Sequence, residues 1–186
     1  MSSHHIVRDN QEPALVLANL NGIELHTVQE LLEWSPTVVV YAEVVETALA
    51  LGIKLDVIVT PHDKVASLMH DVQHQAPVKL LSLQPGEDAA TLLLYFFRAH
   101  RHKAVTWVGV HPQQVQAVVN DLDVVTLYDG LRWVYARSGT FTKWLPAGTV
   151  LQVWPTAEMH RLNTDAQFSI VREQSFWVGE KIRQAV

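Results

Sequence analysis

Histidine pairs are the first place to look for chemistry, because imidazole ligates metals and the sequence has ten histidines and no cysteine. His70 and His74 stand four residues apart, the spacing that brings two rings to one side of a helix. No glutamate or third histidine accompanies them at a diagnostic distance, so a solvated helix face is expected. His4, His5, His100 and His102 are likewise expected at the surface. The lack of cysteine removes disulfides, thiolate ligands and thiol nucleophiles. Six tryptophans and four tyrosines could stack on an aromatic ligand. However, Trp107 stands in an apolar run, while Trp133, Trp144, Trp154 and Trp177 fall among short segments bounded by turns, so core or interface positions are expected. Asn19 with Asn21-Gly22 closes the first apolar run, as a tight turn would.

The elements that must position these residues alternate. ALVLA (14–18) reads as a buried strand, and HTVQELLEW as a helix ended by Ser35-Pro36, because the residue before proline is pushed out of the helical region. TVVVYA, IKLDVIVT, PVKLLSL and AVTWVGV are strands. EVVETALALG, DKVASLMHDVQHQ and DAATLLLYFFRAH are the helices between them. Alternation of this kind predicts an α/β fold with a mostly parallel sheet and helices on both faces, over about 12–125. Its parallel strands are expected near 14–18, 37–41, 56–60, 77–83 and 104–110. After Leu122 the period changes. VVTLY, LRWVYAR, GTFTKWL, GTVLQVW, QFSIVRE and SFWVG, punctuated by Gly130, Gly139 and Gly148, predict a small antiparallel β domain over 126–186. Its edges would be protected most easily by a second copy, so a homodimer joined through this part is expected.

Composition excludes several classes. A net charge of −5, with one short basic cluster (Arg98, Arg101, Lys103), gives no pull toward nucleic acid. MSSHHIVRDNQEPA lacks the apolar core of a signal peptide, and no apolar run approaches the ~18 residues of a membrane span. A soluble, cytoplasmic protein with no membrane partner is the expectation.

The stretch VVVYAEVVETALALGIKLDVIVTPHDKV resembles, without a gap, a segment of the thiamine pyrophosphokinase family. There a strand ends in Ala-Asp-Gly, a helix ends in a Leu-Gly-Ile-Lys-Pro-Asp turn, and the next strand ends in Gly-Asp-Phe-Asp-Ser. The resemblance extends over about 14–155, through an acidic helix start at Glu87-Asp88, a strand ending near Gly109, and LPAGTVLQVWP, which is similar to the family's Gly-Thr turn and following strand. It implies transfer of a pyrophosphoryl group from ATP to the thiamine hydroxyl. Mg²⁺ would be held by carboxylates beyond the carboxyl ends of the strands, where open α/β sheets bind ligands.

Carried over position by position, much of that machinery is changed. The Ala-Asp-Gly falls on Tyr41, Ala42 and Glu43, so a carboxylate is lost and an acidic side chain enters where backbone should approach phosphate. The Gly-Asp-Phe-Asp-Ser falls on Thr60 to Lys64 and keeps only Asp63, with Pro61 at the other acidic position. Asp88 matches the carboxylate of the family's Thr-Asp. The Gly-Gly-Arg and following Asp-His have no counterpart in GVHPQQVQAVV. The resemblance therefore implies Asp63 and Asp88 as the remaining metal ligands, and Asn19 and Glu43 as residues beside a nucleotide. Against this stand a helix cap for Asp88, a solvated turn for Asp63, and a structural role for Asp56. GLRW (130–133) precedes the AGT turn, whereas the family's thiamine-binding aromatic follows it, so that role is not carried to Trp133. The expectation is a thiamine pyrophosphokinase-like protein with lost or weak activity that keeps a binding and dimer scaffold. The alternatives are an active divergent member using Mg²⁺ and ATP, or another nucleotide-using enzyme. Its ligand would be thiamine or a nucleotide.

Overall fold

The protein, as a computed structural model, is described for residues 12–34 and 36–182. His4, His5 and Ser35 lie outside the described residues. The β-branched runs form strands because they are covered on both faces. β1 (Ala14–Leu17), β2 (Val38–Tyr41), β3 (Val57–Pro61), β4 (Lys79–Leu83) and β5 (Ala104–Val108) pair in parallel in the order β4-β3-β2-β1-β5. These are the five parallel segments read from the sequence.

Helices α1 (Leu25–Leu32), α2 (Val45–Ala50) and α3 (Val65–Asp71) lie on one face of this sheet. There Val28, Ala48 and Leu68 join Leu15, Leu17, Val40 and Ile58. Helix α4 (Ala89–Ala99) lies on the other, where Leu93 and Phe97 pack with Val16, Val39 and Trp107. Handedness explains the division. Right-handed crossovers stepping from β1 to β4 keep their helices on one side, and the connection that returns to β5 must pass on the other. Asp88 caps α4, its Oδ2 accepting from the Thr91 backbone N–H at 2.9 Å and the Thr91 hydroxyl at 2.8 Å. Asp56 is structural too, its Oδ2 accepting from the Val38 N–H at 2.8 Å.

The sheet continues past β5. β6 (Asp123–Tyr128) pairs parallel to β5, although its sequence, VVTLY, reads like the antiparallel strands that follow. Direction reverses at Asp129-Gly130, both with positive φ (53° and 68°), a pair suited to a tight hairpin. β7 (Leu131–Ala136) then pairs antiparallel with β6, β12 (Phe176–Lys181) with β7, β9 (Val150–Trp154) with β12, and the edge strand β10 (Glu158–Arg161) with β9. β10 was not anticipated, because EMHR has neither alternation nor β-branched residues. A second sheet of β8 (Thr140–Leu145) and β11 (Ala166–Val171) packs over this end, with Leu145 and Ile170 against Leu151, Val153 and Val178.

Two histidine expectations meet different outcomes. His70 and His74 are exposed, but α3 ends at Asp71 and His74 sits in a separate 3-10 turn, Gln73–Gln75, so they do not share one helix. His102 is a correction: it is buried, not at the surface. After α4 the chain turns back through Arg101 in a left-handed conformation (φ 60°), the His102 N–H donates to the Phe97 carbonyl at 2.9 Å, and the ring packs edge-on against Phe97.

Candidate functional site

Open α/β sheets bind ligands outside the carboxyl ends of their strands, at the point where the strand order reverses. Here that point lies between β1 and β5, since the chain leaves β1 toward β2 and returns on the other side at β5. Asn19 follows β1 and Gly109 follows β5. The two segments close on one another: the N–H groups of Ala18 and Asn19 both approach the Val108 carbonyl, at 3.1 and 3.2 Å. Gly109 has φ 79°, and a Cβ there would overlap the Asn19 carbonyl oxygen. A glycine at this site can let backbone approach a phosphate, but here the approaching group is another segment of the chain. The Asn19 side chain is also occupied, with Oδ1 accepting from the Asn21 N–H at 2.9 Å.

The neighbouring strand ends carry the acidic candidates. β2 runs into a 3-10 turn, Ala42–Val44, that exposes Glu43, and β3 into another, His62–Lys64, that exposes Asp63. These two turns bring Lys64 Nζ to 3.9 Å from Glu43 Oε1. His62 Nδ1 lies 3.0 Å from Ser82 Oγ on β4. Between the turns and α4 stands Tyr41, whose hydroxyl is pushed up to about 12 by burial, with the charges of Asp88 and Glu43 acting in the same direction. Among the described residues, no three side chains of His, Asp or Glu come together as a metal-binding group.

The donor set at these strand ends does not suit Mg-ATP. Asp88 serves its own helix, Glu43 faces Lys64, and the backbone beside Gly109 is filled by Asn19. The segment after Gly109 is a 3-10 turn, Pro112–Val115, held by a capping box in which His111 Nδ1 accepts from the Gln113 N–H and Gln114 Oε1 accepts from the His111 N–H. Pro112 has no N–H to offer. A triphosphate needs converging N–H donors or cations, and these residues do not fit one.

What the sequence reading missed is the aromatic company of that turn. The His111 ring stands edge-on to Tyr128 at 5.2 Å and to Trp154 at 5.8 Å, centroid to centroid. Trp133 Nε1 donates to the Tyr128 carbonyl at 3.3 Å. Gln116 accepts from Trp177 Nε1 at 3.0 Å and lies 3.4 Å from the Tyr135 hydroxyl. The segment after β5 is therefore pinned on the tryptophan-rich face of β7, β12 and β9. Histidine directly before proline at a strand end was the one available signal, but its partners are 17 and 43 residues away.

No family model matches this sequence, and neither does any curated protein. Solved structures do share its fold. Thiamin pyrophosphokinase from Candida albicans superposes with a TM-score of 0.66 at 9% identity, covering 92% of this chain and 90% of that one. Yeast thiamin pyrophosphokinase gives 0.65 at 8%, covering 95% and 88%. That from Geobacillus thermodenitrificans gives 0.63 at 10%, covering 92% and 98%. The class defined by this architecture is an α/β sheet extended by an antiparallel sandwich. Its particular form is the thiamine pyrophosphokinase fold.

Proposed function

We propose that this chain is a thiamine pyrophosphokinase-like protein that keeps the scaffold as a binding and assembly module and has lost enzyme-like pyrophosphoryl transfer. The observation that carries the reading is the closure of the switch point, where Asn19 backbone occupies the space beside Gly109. Phosphoryl-type transfer draws nearly all its acceleration from positioning and electrostatic stabilisation of phosphates. A chain with Ala42 and Pro61 in place of carboxylates, and His111-Pro112 in place of flexible glycines, has little left to supply them. In this reading the 12–125 part is the scaffold. The 126–186 part joins two copies into a cytoplasmic homodimer, with β10 as one of the strand edges to be covered.

The test is thiamine diphosphate formation with Mg-ATP, run beside an intact thiamine pyrophosphokinase and an Asp63→Ala, Asp88→Ala double variant. Background rates in both forms of this chain are expected. Turnover of about 1 per second, abolished in the double variant, would overturn the reading. Sedimentation at micromolar concentration should show a dimer, and a monomer would remove the assembly half of the proposal.

A further inference from the structure

A concavity lies away from the strand ends. Strand alternation puts Thr106, Val125, Leu127, Arg132 and Glu180 on the same side of the sheet as α1. On that side α1 covers the parallel strands and the β8–β11 sheet covers the antiparallel ones. Between them is a cleft of about 670 Å³, within the usual range for small-molecule sites. Trp34, just after α1, forms part of one wall, and Trp144 of β8 part of the other. Each is 68% exposed, which is unusual for tryptophan.

The polar groups of the cleft are unevenly satisfied. Glu180 is paired with Lys143, and Glu30 lies 3.7 Å from His26. Arg132 has no ion-pair partner among the described residues, although Glu180 is its cross-strand neighbour. Thr106 on the floor is only 8% exposed, and its hydroxyl makes no hydrogen bond among the described residues. That hydroxyl opens into the cleft, where it can donate to or accept from a ligand atom. A guanidinium without an ion-pair partner, whose cross-strand Glu180 is taken up by Lys143, is open to an anion, and it suits the planar, two-oxygen geometry of a carboxylate.

We infer that the cleft between α1 and β8 binds a planar aromatic carboxylate, its ring against Trp34 and Trp144 and its anionic group toward Arg132, with Thr106 supplying a hydrogen bond at the floor. The site is separate from the strand-end residues and stands whether or not pyrophosphoryl transfer is lost. The probes are 2-naphthoate and 2-naphthylmethylamine, which share a ring and differ in the sign of charge. Calorimetry should show 2-naphthoate binding at least about tenfold tighter than the amine. Arg132→Gln should remove that preference. Trp144→Ala should weaken 2-naphthoate at least about fivefold, while Trp154→Ala, on the other face, should leave it unchanged. Equal binding of the two probes, binding of neither, or indifference to Trp144→Ala would overturn the inference. So would a dimer in sedimentation that Trp144→Ala dissociates, because a second copy would then be the occupant.

Discussion

Two regions of this molecule could receive a small molecule, and they differ in how their polar groups are used. At the strand ends four candidates have partners within the chain: Asn19 with Asn21, Asp88 with Thr91, Glu43 with Lys64, and Gly109 with the Asn19 backbone; Asp63 is exposed and has no side-chain partner among the described residues. In the cleft between α1 and β8, Arg132 and Thr106 remain unpartnered within the described residues while two indoles stay exposed. Engagement within the chain stabilises the fold and withdraws donors from a ligand. Unsatisfied groups do the opposite. Asn19, Glu43 and Asp88 at the strand ends thus have partners within the chain, whereas Arg132 and Thr106 in the cleft have none among the described residues.

The comparison is broken most directly by substitutions whose effects on stability should differ between the regions. Trp107→Ala removes a fully buried indole packed edge-on against Phe97 behind the strand ends, and should cost about 3–5 kcal/mol in urea unfolding. Gly109→Ala should cost more than about 1 kcal/mol, since alanine disfavours φ 79° and its Cβ would strike Asn19. If that glycine faced a ligand instead, the variant would keep its stability. Asp88→Ala should cost about 1 kcal/mol through the lost helix cap. Trp144→Ala should stay within about 0.5 kcal/mol, as an exposed residue of the cleft. A large loss there would mean that the cleft wall is part of the core.

Much of the parallel half was legible because its signals are local. β-branched runs name the strands, Gly52 with φ 71° ends the α2 turn, and Asp88 stands where a cap belongs. VVTLY was not separable from the later strands, since its direction depends on which neighbour it meets and its alternation is the same either way. The cleft was invisible for a related reason. Trp34, Arg132 and Trp144 are brought together only by the fold, and each alone reads as an ordinary surface or core residue. His102 misled because a polar residue after a helix is usually solvated. The Arg101 turn folds it back under Phe96 and Phe97.

His102 gives the smallest expected effect. Burial, with His100 adding repulsion, holds its pKa below the ordinary 6.5. The unfolded chain therefore binds this proton more readily. The resulting stability is fully present above about pH 6.5 and is lost as pH falls through the lower, folded value. Denaturant midpoints should decline on acidification across that window, less steeply in His102→Leu. An unchanged slope in the variant would assign the decline to other groups.

The central claim, that the strand-end site no longer serves phosphate, is tested most directly by titrating Mg-ATP into the protein in a calorimeter. No saturable heat is expected at millimolar nucleotide. Stoichiometric binding that disappears in the Asp63→Ala, Asp88→Ala double variant would contradict it.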